Sequence, residues 1–282
     1  MEKFGKSQPV TRVEDLRLLT GHGRYVDDIA PEGALYAYVL RSPVAHGEIR
    51  KLDVSDAREA EGVHLVLTIE DLEAAGITES MAGVVLDNRD GSKAAAPHRP
   101  VLAKDKVRHV GEPMALIVAE TLAQARDASE MIEFDIEELP AKMDLARGGV
   151  PVNEAAPDNL AFDWGLGDEA ATEAAFAEAA RVVSLEVADN RIIVNPMEPR
   201  GCYAEWDGRR LHLAFGGQGV WGMKSELARL LGLDKDDIRV TNPDVGGGFG
   251  MKAAPYPEYF AVAQAACALG RPVRWMADRT EA

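Results

Sequence analysis

The chain has 282 residues, 46% of them apolar and 28% charged, with a formal net charge of −16 and a pI near 4.8. That length accommodates two domains of ordinary size, and the composition is that of a globular protein rather than a disordered one. The acidic surface excludes nucleic acid and anionic membranes as main partners, because both attract basic proteins.

In chain order, residues 1–20 read as a polar, weakly patterned lead-in arm. Alternating apolar runs predict strands at 35–40 and 64–68, the second leading into a short helix around 70–75. Between 78 and 100 the pattern lapses into a glycine- and charge-bearing loop. Residues 113–119 predict a buried strand, Thr121 the N-cap of a helix running to 131, and 132–137 a second strand, a βαβ-like unit. Prolines, glycines and acidic residues interrupt every period from 140 to 167, which marks a junction. A helix at 169–180 is expected to run into a strand at 181–188. Strands at 211–215 and 238–241 follow, each leading through glycine-rich sequence into a helix, at 221–231 and 256–269.

No apolar run approaches the roughly 20 residues of a membrane span, and Met1 to Gln8 carry no signal-peptide core, so the expected location is the cytoplasm. Cys202 and Cys267 lie far apart without CxxC spacing, which predicts packed thiols and no disulfide framework, zinc site or iron–sulfur site. The six histidines are scattered, so a metal held by protein side chains is not expected, and no GxxxxGK[ST] loop occurs. Core packing accounts for the stretch 110–118 and for Trp164, Trp206 and Trp275. The adjacent pairs Glu137-Glu138 and Asp236-Asp237 point different ways on any regular element and read as solvated faces.

The most informative segments are Phe215-Gly216-Gly217-Gln218-Gly219 and Asp244-Val245-Gly246-Gly247-Gly248-Phe249-Gly250-Met251-Lys252. Both sit between a strand and a helix. Glycine allows close backbone approach and positive φ, and the following helix offers unpaired N–H groups, so the pair is suited to a large polar cofactor. Gly217 to Gly222 also match GxGxxG, which keeps a nicotinamide-binding Rossmann dehydrogenase as an alternative, with Asp244 as the acidic residue nearest the following strand.

Together with Gly21 to Asp28, Arg41 to His46, Val110 to Pro113, Asn195 to Arg200 and Gly270 to Val273, these segments carry a resemblance nearly end to end. The chain resembles the large, molybdenum-cofactor-binding subunit of the xanthine oxidase family of molybdenum hydroxylases, especially the bacterial carbon monoxide and aldehyde dehydrogenase branch. The resemblance implies an α+β architecture. An α/β hammerhead domain (21–140) and a connecting segment (141–167) precede the first part of a molybdenum-cofactor-binding domain (168–282). It also implies molybdenum–molybdopterin, plain or as its cytosine dinucleotide, with the metal held by the pterin's own sulfurs.

The glutamine beside the metal's apical oxygen in that family matches Gln218, and the aromatic of the second loop matches Phe249. Gly216, Gly217, Gly247, Gly248 and Gly250 match the glycines that bring backbone close to the cofactor. The implied reaction is oxidative hydroxylation of an aldehyde, an N-heterocycle or a similar substrate. Electrons would pass to 2Fe-2S and FAD groups on small and medium partner subunits. Purine-hydroxylating members carry a glutamate after the second-loop lysine, whereas Lys252 is followed by Ala253. The family's general-base glutamate has no counterpart here, and no acid/base residue is assigned; Glu198 and Arg200 are read as ion-pairing residues. The chain is therefore expected to act only in a complex, as a fragment or one half of a split large subunit. A non-catalytic assembly module is the alternative.

Overall fold

The computed structural model describes residues 9–81, 83, 85–190 and 192–281. A short helix, α1 (Asp15–Leu19), precedes strand β1 (Leu35–Arg41), strand β2 (Gly47–Asp53), helix α2 (Ser55–Glu59), strand β3 (Val63–Leu67) and helix α3 (Ile69–Ala74). Then follow β4 (Lys106–Val107), β5 (Pro113–Ala119), α4 (Leu122–Glu130) and β6 (Glu133–Glu138). The last part contains α5 (Glu169–Glu178), β7 (Gly201–Trp206), β8 (Leu211–Phe215), α6 (Trp221–Leu231), β9 (Ile238–Thr241), α7 (Pro257–Leu269) and β10 (Val273–Met276). Of the lead-in arm, residues 1–8 lie outside the described residues.

Seven strands form one mixed sheet in the order β3-β5-β1-β10-β7-β8-β9. The parallel pairing of β1 with β10 joins strands from the two halves of the chain, and β8 and β9 are also parallel. A second, antiparallel sheet has the order β4-β2-β6. The expected βαβ-like unit is therefore corrected: β5 and β6 lie in different sheets, and β6 pairs antiparallel with β2. The reason lies in β6 itself. Its sequence, EFDIEE, has only two apolar residues and suits a solvated ribbon rather than the interior of a sheet.

Strand β5 is fully buried, and its two faces serve two cores. Leu116 and Val118 join Leu35, Ala37 and Val39 in the large core beneath α7. Ala115, Ile117 and Ala119 pack with Ala125 and Ala128 of α4. An uninterrupted apolar run is what a strand covered on both faces requires. Helix α7 is apolar nearly all round, and eight of its residues, Glu258 to Ala263 with Ala265 and Ala266, are buried against strands of both halves. The Thr121 hydroxyl accepts from the Gln124 amide at 3.2 Å, the expected N-cap of α4. Thr68 and Asp71 form a capping box on α3.

Two further expectations are corrected. No ladder forms at 181–188; that segment has no regular secondary structure and is exposed, because no described strand runs beside it. Trp164 and Val110 are exposed, at 52% and 64%, whereas Trp275 is buried and Trp206 packs on the core edge. Val110 and Trp164 lie in loops with no apolar layer to cover them. Both cysteines are free thiols; burial pushes that of Cys202 well up and that of Cys267 up to about 11.

Candidate functional site

The two glycine segments are about thirty residues apart in sequence, and the parallel pairing of β8 with β9 makes them neighbours. Ala214 stands opposite Thr241, so both strands end at the same edge of the sheet. The first loop passes from there into α6, and the second runs through a short 3-10 turn, Met251–Ala253, towards α7. The structure thus brings Gly216, Gly217 and Gln218 together with Gly247, Gly248, Phe249 and Gly250.

Contacts between the loops are specific. The Gln218 side-chain oxygen accepts from the Gly250 amide at 2.8 Å, and the Gln218 amide donates to the Lys252 carbonyl at 3.1 Å. Gly248 lies so close that an added Cβ would stand 2.7 Å from the Gln218 carboxamide carbon. A Cβ on Gly217 would meet the Phe215 ring at 1.9 Å, and one on Gly247 would meet Phe249 at 2.7 Å and Pro196 at 3.0 Å. These glycines are required by contact with neighbouring side chains as much as by backbone freedom. Phe249 adopts φ 51°, a left-handed conformation costing a non-glycine residue about 1–3 kcal/mol, and its ring is 76% exposed. Among the described residues, none accepts from the backbone N–H groups of Gly247, Gly248 and Phe249. Three successive donors in this loop are therefore left without a protein acceptor among the described residues.

Beneath the loops lies an ion pair. The Lys252 side chain is fully buried, and its ammonium donates to Glu198 Oε2 at 2.9 Å. The same oxygen accepts from the Gly246 amide at 2.8 Å, and the Glu198 amide donates to the Gly246 carbonyl at 3.2 Å. Glu198 Oε1 is buried with no protein partner among the described residues. Glu198 thus ties the Asn195-to-Arg200 motif to the second loop, while a Cβ on Gly216 of the first loop would stand 3.2 Å from its carboxylate. Gly246→Ala would force its Cβ within 2.4 Å of the Glu198 Cβ. We expect that substitution to destabilise the chain by about 1–3 kcal/mol in urea unfolding; an unchanged midpoint would contradict this packing.

Glu198 and Arg200 both form ion pairs, with different partners. Arg200 is buried under Tyr256, its guanidinium carbon 4.0 Å from the ring centroid, and donates to Glu258 Oε2 at 3.1 Å. Arg41 donates to Glu258 Oε1 at 2.7 Å and to Glu281 Oε1 at 2.6 Å. Burial pushes the Glu258 carboxyl up, and the two guanidiniums outweigh it and hold it below the usual carboxylate range.

Sequence reasoning missed Asn242. Its side-chain oxygen accepts from the Gly217 amide at 3.2 Å and its nitrogen donates to the Gly217 carbonyl, which fixes the first loop to the end of β9. The Asn-Pro step directly after a strand was its only signal. The role of Lys252 was also missed, since burial of a lysine is not legible in a motif.

Asp244 does not stand free as a ribose ligand would. The Arg17 guanidinium donates to it at 2.7 Å and the Arg24 amide at 2.7 Å, and these bonds, the Arg17 one foremost, hold its carboxyl below its ordinary range. Antiparallel β7 also flanks β8, unlike the parallel centre of a dinucleotide fold. The GxGxxG match is therefore coincidental.

A groove of about 640 Å³ opens beside the first loop, lined by Phe215, Gln218, Gly219, Met223, Gly250 and Ala253 among others. Among the described residues no group of three His, Cys, Asp or Glu side chains is placed to hold a metal ion. No helix there is long and apolar enough to cross a membrane.

Two family models match the chain: the a/b hammerhead domain of aldehyde oxidase and xanthine dehydrogenase over residues 20–140, and the molybdopterin cofactor-binding domain over 152–282. The chain belongs to the xanthine oxidase family. Among the relatives of this xanthine oxidase family member is the nicotine 6-hydroxylase large subunit of Paenarthrobacter nicotinovorans. It is 40% identical over 99% of this chain and 34% of that relative. The carbon monoxide dehydrogenase large chain of Hydrogenophaga pseudoflava is 33% identical over 95% of this chain and 34% of its own length. The crystal structure of quinoline 2-oxidoreductase from Pseudomonas putida 86 superposes with a TM-score of 0.79 at 37% identity, covering 96% of this chain and 34% of that one. The chain therefore spans about a third of the length of the relatives it matches.

Proposed function

We propose that this chain is the part of a molybdenum hydroxylase large subunit that grips molybdopterin, and that Gly216, Gly217, Gln218, Gly247, Gly248, Phe249 and Gly250 are its cofactor contacts. The observation that carries the reading is the convergence of the two loops where β8 and β9 end, joined by Gln218 and Glu198, with the amides of Gly247, Gly248 and Phe249 without an acceptor among the described residues. The residues fit the group: an oxygen- and sulfur-rich anion is suited by backbone N–H donors and by an uncharged carboxamide. When bound, the cofactor supplies the redox chemistry, an overall two-electron oxidation of substrate with oxygen insertion. The chain's own contribution is positional. Gln218 holds its oxygen on Gly250 and so leaves its NH2 group to donate, while the buried Lys252–Glu198 pair keeps the second loop from collapsing onto the first.

An N-heteroaromatic substrate is favoured within this reading. Relatives named for nicotine and quinoline are 40% and 37% identical, and Ala253, where purine-hydroxylating members carry a carboxylate, lines the groove beside Gln218. We assign residues 21–140 to the hammerhead domain, 141–167 to a connecting segment and 168–282 to the first part of the cofactor domain. The expected complement is an iron–sulfur small subunit, an FAD medium subunit and the remainder of the large subunit, in the cytoplasm, with pterin as the plain or the cytosine dinucleotide form.

The test is molybdenum and pterin content of the chain purified together with these subunits. Stoichiometric molybdenum supports the reading, and a complex free of both would leave an assembly module instead. Gln218→Ala is expected to lower molybdenum occupancy at limiting cofactor by about three- to tenfold, as loss of one hydrogen-bonding amide implies. The thermal transition should stay unchanged, because Gln218 is exposed. Full occupancy in that variant would remove Gln218 from the site.

A further inference from the structure

Between Asp163 and Asn195 the backbone leaves the folded body and returns to it. Arg89 holds the departing end, donating to Asp163 Oδ2 at 3.1 Å, and Arg279 holds the returning end, donating to Asn195 Oδ1 at 2.6 Å. In between, α5 has no buried residue, and residues 181–190 form neither helix nor ladder and are exposed, with no described strand beside them. Val183, Leu185 and Val187, spaced by two as the residues of one strand face are, are 79%, 85% and 71% exposed. Leu166, Phe176, Ile192 and Ile193 are exposed as well. Neither element is self-sufficient. A helix of 10 residues is marginal in water, and a lone strand leaves its amides without a ladder.

We propose that 181–190 is a docking strand, with α5 preceding it, for the polypeptide that corresponds to the part of the relatives' large subunit this chain does not match. The inference rests on reading the chain as part of such a subunit. Three observations select this occupant. The molybdopterin cofactor-binding model extends over 152–282, so the arm belongs to that domain and is not a linker. The relatives match 99% and 95% of this chain yet are about three times as long, so further polypeptide accompanies the same arm in them. The arm also carries Glu169, Glu173, Glu178, Glu186 and Asp189, so a second copy's arm would repel it, and a partner strand with basic flanks would not. Because the arm returns at Pro196 and Glu198, which pack against the second glycine loop, a polypeptide docked there would border the site.

The test is co-expression of the full chain with the unmatched part of the Paenarthrobacter nicotinovorans nicotine 6-hydroxylase large subunit. It is followed by mass determination of the complex and amide hydrogen exchange. A one-to-one complex is expected, in which amides of 181–190 exchange at least tenfold more slowly than in the chain alone. Leu185→Lys should weaken the association at least tenfold and leave the chain's own thermal transition in place, since Leu185 is 85% exposed. The proposal is overturned if no complex forms, if exchange at 181–190 is unchanged within it, or if the chain alone protects 181–190 by self-association. Pterin content is read separately. A complex that protects the arm but lacks pterin sinks the cofactor assignment and leaves the docking strand standing.

Discussion

Glu258→Ala is expected to destabilise the chain by about 3–5 kcal/mol, the effect of removing one partner from a buried ionic network. The carboxylate stands between the guanidiniums of Arg41 and Arg200 at 2.7 Å and 3.1 Å, and its side chain is 2% exposed. Arg200 is itself enclosed by the rings of Tyr256 and Trp275, so without Glu258 its charge keeps, among the described residues, the Glu281 carbonyl at 2.9 Å as a hydrogen-bond acceptor. The network joins β1, the Arg200 segment, the first turn of α7 and the residues after β10, so its loss loosens the seam between the two halves of the sheet.

The pH dependence follows from the direction of the shift. The folded carboxyl titrates below its unfolded value, so its contribution is fully present above the ordinary glutamate range, near pH 4.3, and is lost as pH falls through the folded value. Urea unfolding at pH 7 and at successively lower pH should show a steep acid loss in the wild type and a shallower one in Glu258→Gln. A Glu258→Ala midpoint within about 1 kcal/mol of wild type at pH 7 would mean that the network is energetically idle.

Lys252→Met is the second large effect. It leaves the Glu198 carboxylate, 9% exposed, with the Gly246 amide as its remaining donor among the described residues, and should also destabilise by about 3–5 kcal/mol. Combining it with Glu198→Gln removes the orphaned charge and should recover much of that loss. The coupling energy of the cycle is then about 2 kcal/mol or more. Hydrogen exchange at Gly246 to Gly250 supplies a local readout: it should accelerate in Lys252→Met and slow again in the double variant. Strictly additive effects would show that the pair is not what fixes the loop.

The same residues show how far the site was legible. Glycines at Gly216, Gly217, Gly247, Gly248 and Gly250 announced two loops, because three consecutive glycines before an aromatic are unfavourable unless backbone must approach something. Their partners were not announced. Asn242 is an unremarked residue after a short strand, and Lys252 and Glu198 are 54 positions apart, so their pairing depends on tertiary folding. Helix α4 was legible from its Thr121 cap, and α6 and α7 as the runs after the two glycine segments, whereas β2, interrupted by charge, and the four-residue β10 were not. The strand expected at 181–188 has the right alternation, but a pattern specifies which face wants burial and cannot supply the neighbour.

By itself, then, the sequence determined local conformation and chemistry: where helices start and stop, that β5 is covered on both faces, and that two glycine loops follow strands and precede helices. Only the tertiary structure decided that one sheet runs through both halves of the chain, that parallel β8 and β9 set the loops side by side, and that a buried lysine and glutamate lock them. Period, caps and glycine act over a few residues, whereas strand order and ion pairing are chosen by which distant surfaces bury each other best.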